Sequence, residues 1–127
     1  MSTTRVLDVG QCSFDHGTIS RFLRQNFGVQ VDEAETADDA LSALRSEPYA
    51  LVLVNRVFDT DGSSGIDLIR ALKADPALSD VAVMLVSNYP DAQAQAIDLG
   101  ALEGFGKAQL RDQATGEKLK QALARPS

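Results

Sequence analysis

"ALVLVNRVFDTDGSSGIDLIRALKADPALSDVAVMLVS", residues 50–87, decides how the rest of the chain is read. It opens on an apolar, β-branched run and passes through an acidic, Gly-rich loop. An amphipathic stretch ended by a proline follows, and then a second β-branched run. The runs at 51–54 and 81–86 are almost continuously hydrophobic, which fits strands buried on both faces of a parallel sheet. Between them Ile66, Ile69 and Leu72 share one helical stripe, and the helix is expected to stop before Pro76. Strand, helix and strand at this spacing make a right-handed crossover.

The same alternation extends to both ends. Strand-like runs are "RVLDVG" (5–10), "VQVDEA" (29–34), "ALVLVN" (50–55), "VAVMLVS" (81–87) and "LEGFG" (102–106), the last placed mainly by its position in the series. A first helix carries Ile19, Phe22, Leu23 and Phe27 on one face, with Ser13 or Asp15 as its cap and Gly28 to end it. A second, "TADDALSALRSEP", opens on Thr36 with Asp39 three residues on and is stopped by Pro48. A fourth covers about 91–99 after Pro90. A fifth covers about 114–124, with Lys118, Lys120 and Arg125 placed late, where cations suit the helix dipole. The expected architecture is one α/β domain over residues 1–127. It is a three-layer α/β/α sandwich on a five-stranded parallel sheet of flavodoxin-like order 2-1-3-4-5.

Composition narrows the function. The chain has 127 residues, a formal net charge of −6 and 44% hydrophobic residues, enough for one core. With no basic run, nucleic acid is not an expected partner. No apolar segment approaches membrane-spanning length, so neither a membrane nor a signal peptide is expected, and the cytoplasm is the expected location. Cys12 is the single cysteine and His16 the single histidine. No disulfide and no Cys- or His-based metal centre follows from these, and His16 reads as a surface residue on the first turn of a helix. The scattered glycines form no nucleotide-binding fingerprint, and "DTDGSSG" (59–65) lacks the spacing of a calcium loop.

In an open α/β sheet, chemistry sits at the carboxyl ends of the strands. The residues there are Gly10 and Gln11, Asn55, Ser87 and Lys107. Asp8 is an oddity, a carboxylate inside the first strand, and calls for a local salt bridge or hydrogen bond.

At these positions the chain resembles the receiver domains of two-component response regulators. The resemblance rests on "YALVLVNRVF" (49–58), "SGIDLIRALKADPALSDVAVMLVSNY" (64–89) and "AIDLGALEGFGK" (96–107) and covers essentially the whole chain. It implies a phosphoryl-accepting pocket: an acidic pair after the first strand to hold Mg²⁺, an Asp nucleophile after the third, Ser or Thr after the fourth and Lys after the fifth. Ser87 and Lys107 match. Asn55 stands where the nucleophile belongs, Gly10 and Gln11 where the acidic pair belongs, Gly104 where the switch aromatic belongs, and Ala108 follows the lysine in place of proline.

An amide oxygen is a poor nucleophile, and Gly10 and Gln11 offer no carboxylate to a cation. The expectation is therefore a degenerate, pseudo-receiver pocket that is not an enzyme, with no metal and no cofactor. Asn55 is expected to act as a structural amide touching Lys107 or Ser87. Lys107 is expected to turn into the crevice toward Asn55, Ser87 or an acidic group, with Asp8, Asp59 and Asp61 as candidates. Phosphorylation is expected to return only with acids at 10 and 11 together with Asp at 55.

No further domain is expected after Ser127, so the expected mode of action is contact with a protein partner in signal transduction or self-association. The resemblance points to the face formed by the fourth helix, fifth strand and fifth helix, with Tyr89, Gln93, Gln95 and Phe105 as contact candidates. Charge-introducing changes at Gln93 or Gln95 are expected to leave stability almost unchanged. Two rivals stand beside this reading: phosphorylation at Ser87 or a loop Asp, and a small-ligand or flavin module on the same fold.

Overall fold

The computed structural model describes residues 4–124. Five strands, β1 (Arg5–Val9), β2 (Gln30–Ala34), β3 (Leu51–Asn55), β4 (Val83–Val86) and β5 (Leu102–Phe105), alternate with five helices, α1 (Ser13–Phe27), α2 (Ala37–Ser46), α3 (Gly65–Ala74), α4 (Pro90–Asp98) and α5 (Gln113–Leu123). A short 3₁₀ turn, Lys107–Gln109, follows β5. All neighbouring strands are parallel and the sheet order is β2-β1-β3-β4-β5, as the alternation predicts.

Period-two alternation sorts the strand residues onto two faces. Leu7, Val9, Val52, Val54, Val83 and Leu85 pack against α2, α3 and α4 through Ala40, Leu44, Leu68, Ile69, Leu72 and Ala96. Val6, Leu51, Leu53, Met84 and Val86 face α1 and α5 through Ile19, Leu23, Leu119 and Ala122. In β3, Leu51 to Val54 are all fully buried, and each such side chain contributes roughly 1.5–3 kcal/mol. This strand is the centre of the domain.

The helix ends follow local chemistry. Thr36 caps α2 by accepting from the Asp39 N–H at 3.1 Å, and Gly28 closes α1 in the left-handed conformation at φ 64°. Pro90 occupies the first turn of α4, where a missing N–H costs nothing. The cap of α1 differs from expectation. It is Cys12, not Ser13 or Asp15, and its Sγ accepts from the Asp15 N–H at 3.5 Å. Ser13 already lies inside the helix, so the preceding thiol is the acceptor within reach. In α5, Lys118 pairs with Glu103 at 2.7 Å and Lys120 lies in the last turn, while Arg125 lies outside the described residues. Among the described residues, no helix is long and apolar enough to cross a membrane.

The weakly signalled β5 is real and has a local irregularity. Its register with β4 shifts between Met84 and Val86. Gly104 sits there because a Cβ would overlap the Leu85 carbonyl. Gln93 of α4 accepts from the Gly104 N–H at 3.0 Å, and Lys118 of α5 donates to the Gly104 carbonyl at 3.1 Å. The place where an aromatic was missing is thus a backbone contact with no room for any side chain.

Candidate functional site

The crevice opens at the carboxyl ends of β3 and β4 and the turn after β5. Its cavity of about 260 Å³ is lined by Asn55, Arg56, Val57, Val86, Ser87, Asn88, Tyr89 and Lys107. Three of the five expected pocket residues, Asn55, Ser87 and Lys107, therefore come together. Gly10 is linked to them through Asn55, and Gln11 turns away into the interior.

Asn55 corrects the expected contact. Its side chain touches neither Lys107 nor Ser87 by hydrogen bond. Instead Nδ2 donates to the Gly10 carbonyl at 3.0 Å and to the Val57 carbonyl at 2.7 Å. One amide group thereby ties the loop after β1 to the loop after β3. Two carbonyl acceptors require an N–H donor, and an ionised carboxylate has none.

Gly10 is equally committed. Its φ is 80°, its N–H donates to Ala34 O at 2.8 Å, and its carbonyl also accepts from the Asp59 N–H at 2.9 Å. A Cβ at this position would overlap the Phe58 ring, which is itself buried. The position where a receiver keeps an acid is closed by an aromatic side chain.

Gln11 is buried, and neither its Nε2 nor its Oε1 has a protein partner. Among the described residues, no three His, Cys, Asp or Glu side chains group so as to hold a metal ion. The Mg²⁺ site implied by the resemblance does not fit these residues, since the hard cation would meet one glycine and neutral amides.

Lys107 does find a carboxylate, but not Asp8, Asp59 or Asp61. Its Nζ donates to Asp15 Oδ2 at 2.7 Å, joining the turn after β5 to the first turn of α1. The hydrogen bond from Lys107 holds the Asp15 carboxyl below the usual range. Ser87 Oγ accepts from the Tyr89 N–H at 3.1 Å, while its own N–H donates to Phe105 O.

The oddity in β1 resolves beneath α1. Asp8 is fully buried, and its Oδ2 lies 2.8 Å from His16 Nδ1. His16 is on the first turn of α1 as expected, but it points inward with its side chain only 18% exposed. Burial pushes the Asp8 carboxyl up, against the opposing pull of His16. The hydrogen bond to Asp8 raises the His16 pKa. The Gln11 amide approaches Asp8 without completing a hydrogen bond of ordinary geometry, and Asp8 Oδ1 has no partner. A sequence signal for this pair existed. The chain has one histidine, one helical entry away from a carboxylate that a strand interior could not hold alone.

The contact candidates fare unevenly. Tyr89 is exposed, and the Arg56 guanidinium lies over its ring, 4.7 Å from the centroid. Phe105 is buried in the core beside α5 and offers no surface. Gln93 is an internal clip: its Nε2 donates to Leu85 O at 2.9 Å and Ser87 O at 3.1 Å. Gln95 is exposed but lines a cleft toward α3 with Asp67 and Arg70, on the other side of α4. Arg56, Phe58 and Asp15 carry much of the site's geometry, and sequence reading had placed none of them in the site.

No protein-family model matches the sequence, and no curated protein matches it significantly. Solved structures do match. A sensor protein from Polaromonas sp. JS666 aligns with a TM-score of 0.82 at 22% identity, covering 96% of this chain and 97% of that one. The signal receiver domain of a DNA-binding response regulator from Colwellia psychrerythraea 34H gives 0.80 at 21% identity, with 96% and 99% covered. A CheY-like response regulator receiver domain from Methylobacillus flagellatus gives 0.74 at 24% identity, again with 96% and 99% covered. The chain has the receiver-domain fold of two-component response regulators.

Proposed function

We propose that this chain is a receiver-type signalling domain of the cytoplasm that no longer accepts a phosphoryl group. It acts through contact with a protein partner or with a second copy of itself. The observation that carries this reading is the bonding of Asn55. Its amide donates to two backbone carbonyls, so the side chain at the phosphoacceptor position is part of the scaffold. A nucleophilic carboxylate there would face two carbonyl oxygens with no proton to share.

The Phe58 ring against Gly10 supports the same reading, because it fills the place of a metal-binding acid. Contact with a partner draws support from the exposed apolar side chains. Phe14, Val57 and Tyr89 are all exposed, and all follow carboxyl ends of strands around the crevice.

The test is intact-mass analysis after incubation with a small-molecule phosphodonor and Mg²⁺. The expected result is an unchanged mass. A gain of one phosphoryl group would sink the reading, and peptide mapping would then tell Ser87 from a loop aspartate. The structure also changes what restoration requires. An acid at residue 10 must displace Phe58, so carboxylates at 10, 11 and 55 do not rebuild the pocket while that ring remains.

A further inference from the structure

We infer that Asp8 and His16 form a proton-operated latch beneath α1, which holds the first turn of that helix closed and with it the Asp15 carboxylate that neutralises Lys107. Asp8 is fully buried in β1, and the 2.8 Å contact from its Oδ2 to His16 Nδ1 ties that turn to the interior. Its Oδ1 and both amide atoms of the buried Gln11 beside it have no hydrogen-bond partner among the described residues. With one proton between them, Asp8 and His16 carry no net charge. Without that proton a buried carboxylate stands uncompensated, which is costly. The other side chains facing the pair do not replace it. Glu33, the register neighbour of Asp8 on β2, adds negative charge, and Arg24 of α1 opposes it at His16. To this face β3 turns Leu53 and α5 turns Leu119, neither of which can compensate a charge.

The rest of that turn is held loosely. Its cap acceptor is a thiol, Cys12 Sγ at 3.5 Å from the Asp15 N–H, weaker than a hydroxyl or carboxylate oxygen. On the outside Asp15, one residue before His16, takes the 2.7 Å ion pair from Lys107. A weakly capped first turn opens more readily than the helix body. Solvent reaches Asp8 when the turn lifts, and the lift carries Asp15 away from Lys107. Opening returns His16 to its ordinary pKa of 6.5, below its folded value. The open form therefore binds fewer protons above 6.5, and rising pH favours it. The proton thus sets how much of the time Lys107 keeps its counter-ion. The same turn displays the exposed Phe14, so proton loss also moves an apolar side chain available to a partner. That consequence alone depends on the proposed partner contact.

The test is amide hydrogen exchange of the isotope-labelled chain, followed by NMR from about pH 6 to 9 at constant ionic strength. Rates are divided by their intrinsic values to give protection. His16 is the single histidine, so its ring signal gives the midpoint directly. Protection at the Asp15 and His16 amides is expected to lie below that of Val52 to Val54. It should fall about tenfold per pH unit between 6.5 and the His16 midpoint. Asp8→Leu, which replaces the buried acid with a hydrocarbon, should bring the midpoint down toward 6.5 and abolish the slope. His16→Gln should abolish the slope too. Lys107→Met should lower protection at both amides about threefold and leave the slope intact. A slope of zero in the wild type, or an unchanged slope in Asp8→Leu, overturns the latch. Exchange of Asp15 and His16 at the rate of Val52 to Val54 also overturns it, because the pair would then part only with the whole domain. Unaltered protection in Lys107→Met overturns the connection to the crevice lysine. Every arm is read without partner or phosphodonor, so failure of the latch leaves the loss of phosphoryl chemistry and the partner contact standing.

Discussion

Asn55 and Asp8 are a pair of opposites, two strands' worth of sequence apart and on neighbouring strands of the sheet. At the mouth of the crevice an amide stands where a carboxylate would be useful. Inside β1 a carboxylate stands where a hydrocarbon would be comfortable. Each is explained by its partners and not by its place. Asn55 faces two carbonyl acceptors and must donate. Asp8 lies 2.8 Å from His16 Nδ1 and shares a proton with it. Charge in this domain follows the hydrogen-bonding complement, which a strand pattern does not display.

The harshest way to test that contrast is to force charge into the crevice. Gly10→Asp adds a side chain at φ 80° and drives it into Phe58. A left-handed backbone costs about 1–2 kcal/mol and overpacking about 1–3, so a loss of about 3–4 kcal/mol is expected in chemical denaturation. Adding Phe58→Ala should not restore stability, because the ring's own burial is lost, but it should make the two effects markedly non-additive. Simple additivity would show that Phe58 does not close this position.

Next in size is the buried pair. His16→Ala leaves Asp8 without its partner and should cost about 2–3 kcal/mol, moderated by protonation of the acid. Asp8→Leu removes the demand itself, and is expected to be neutral or stabilising by about 1 kcal/mol or more. A large loss in Asp8→Leu would mean that the carboxylate does more than answer the histidine.

The pair also sets a pH dependence. His16 has a folded pKa above its ordinary 6.5, so its contribution is complete below 6.5 and is lost as pH rises through the folded value. Asp8, raised from 3.8 by burial, works in the same direction. Asp15, lowered from 3.8 by Lys107, works in the opposite one, contributing above 3.8 and losing that as pH falls. Stability should therefore decline as pH rises above 6.5 toward the folded His16 value, and Asp8→Asn or His16→Gln should flatten the decline. A wild-type profile already flat in that window would contradict the pairing.

Asn55→Asp comes third, at about 2 kcal/mol for two lost donors and a carboxylate set against two carbonyls. It should gain no Mg²⁺-dependent phosphorylation. The sequence made this residue conspicuous and named its consequence, loss of the nucleophile, but not its bonds. The fold was legible throughout, because buried parallel strands and amphipathic helices write themselves as continuous and 3.6-periodic runs. Even the weak β5 lay where the alternation required it. The finer contacts were not legible. Phe58 against Gly10, Lys107 against Asp15 and Arg56 over Tyr89 join residues whose separation along the chain carries no periodicity. Phe105 and Gln93 turn inward for a related reason: in a short edge strand or a short helix the sequence does not reveal which way a side chain turns.

The smallest effects sharpen the comparison most, because they ask the Asn55 question of two residues on one helix. Gln93 and Gln95 have the same chemistry and lie two positions apart on α4. Gln93 donates to Leu85 and Ser87 carbonyls and accepts from Gly104, so it holds the bulged edge strand to its neighbour. Gln95 is exposed and its side chain makes no hydrogen bond among the described residues. Gln93→Glu keeps one acceptor but loses two donors, and should cost about 1 kcal/mol. Gln95→Glu should stay within about 0.5 kcal/mol of wild type. The tolerance expected of both glutamines from sequence thus belongs to Gln95 alone. Urea denaturation of the two variants side by side measures the difference directly. Equal stabilities would mean that hydrogen bonds to backbone carbonyls do not decide where this domain accepts charge, and would remove the explanation given for Asn55 as well.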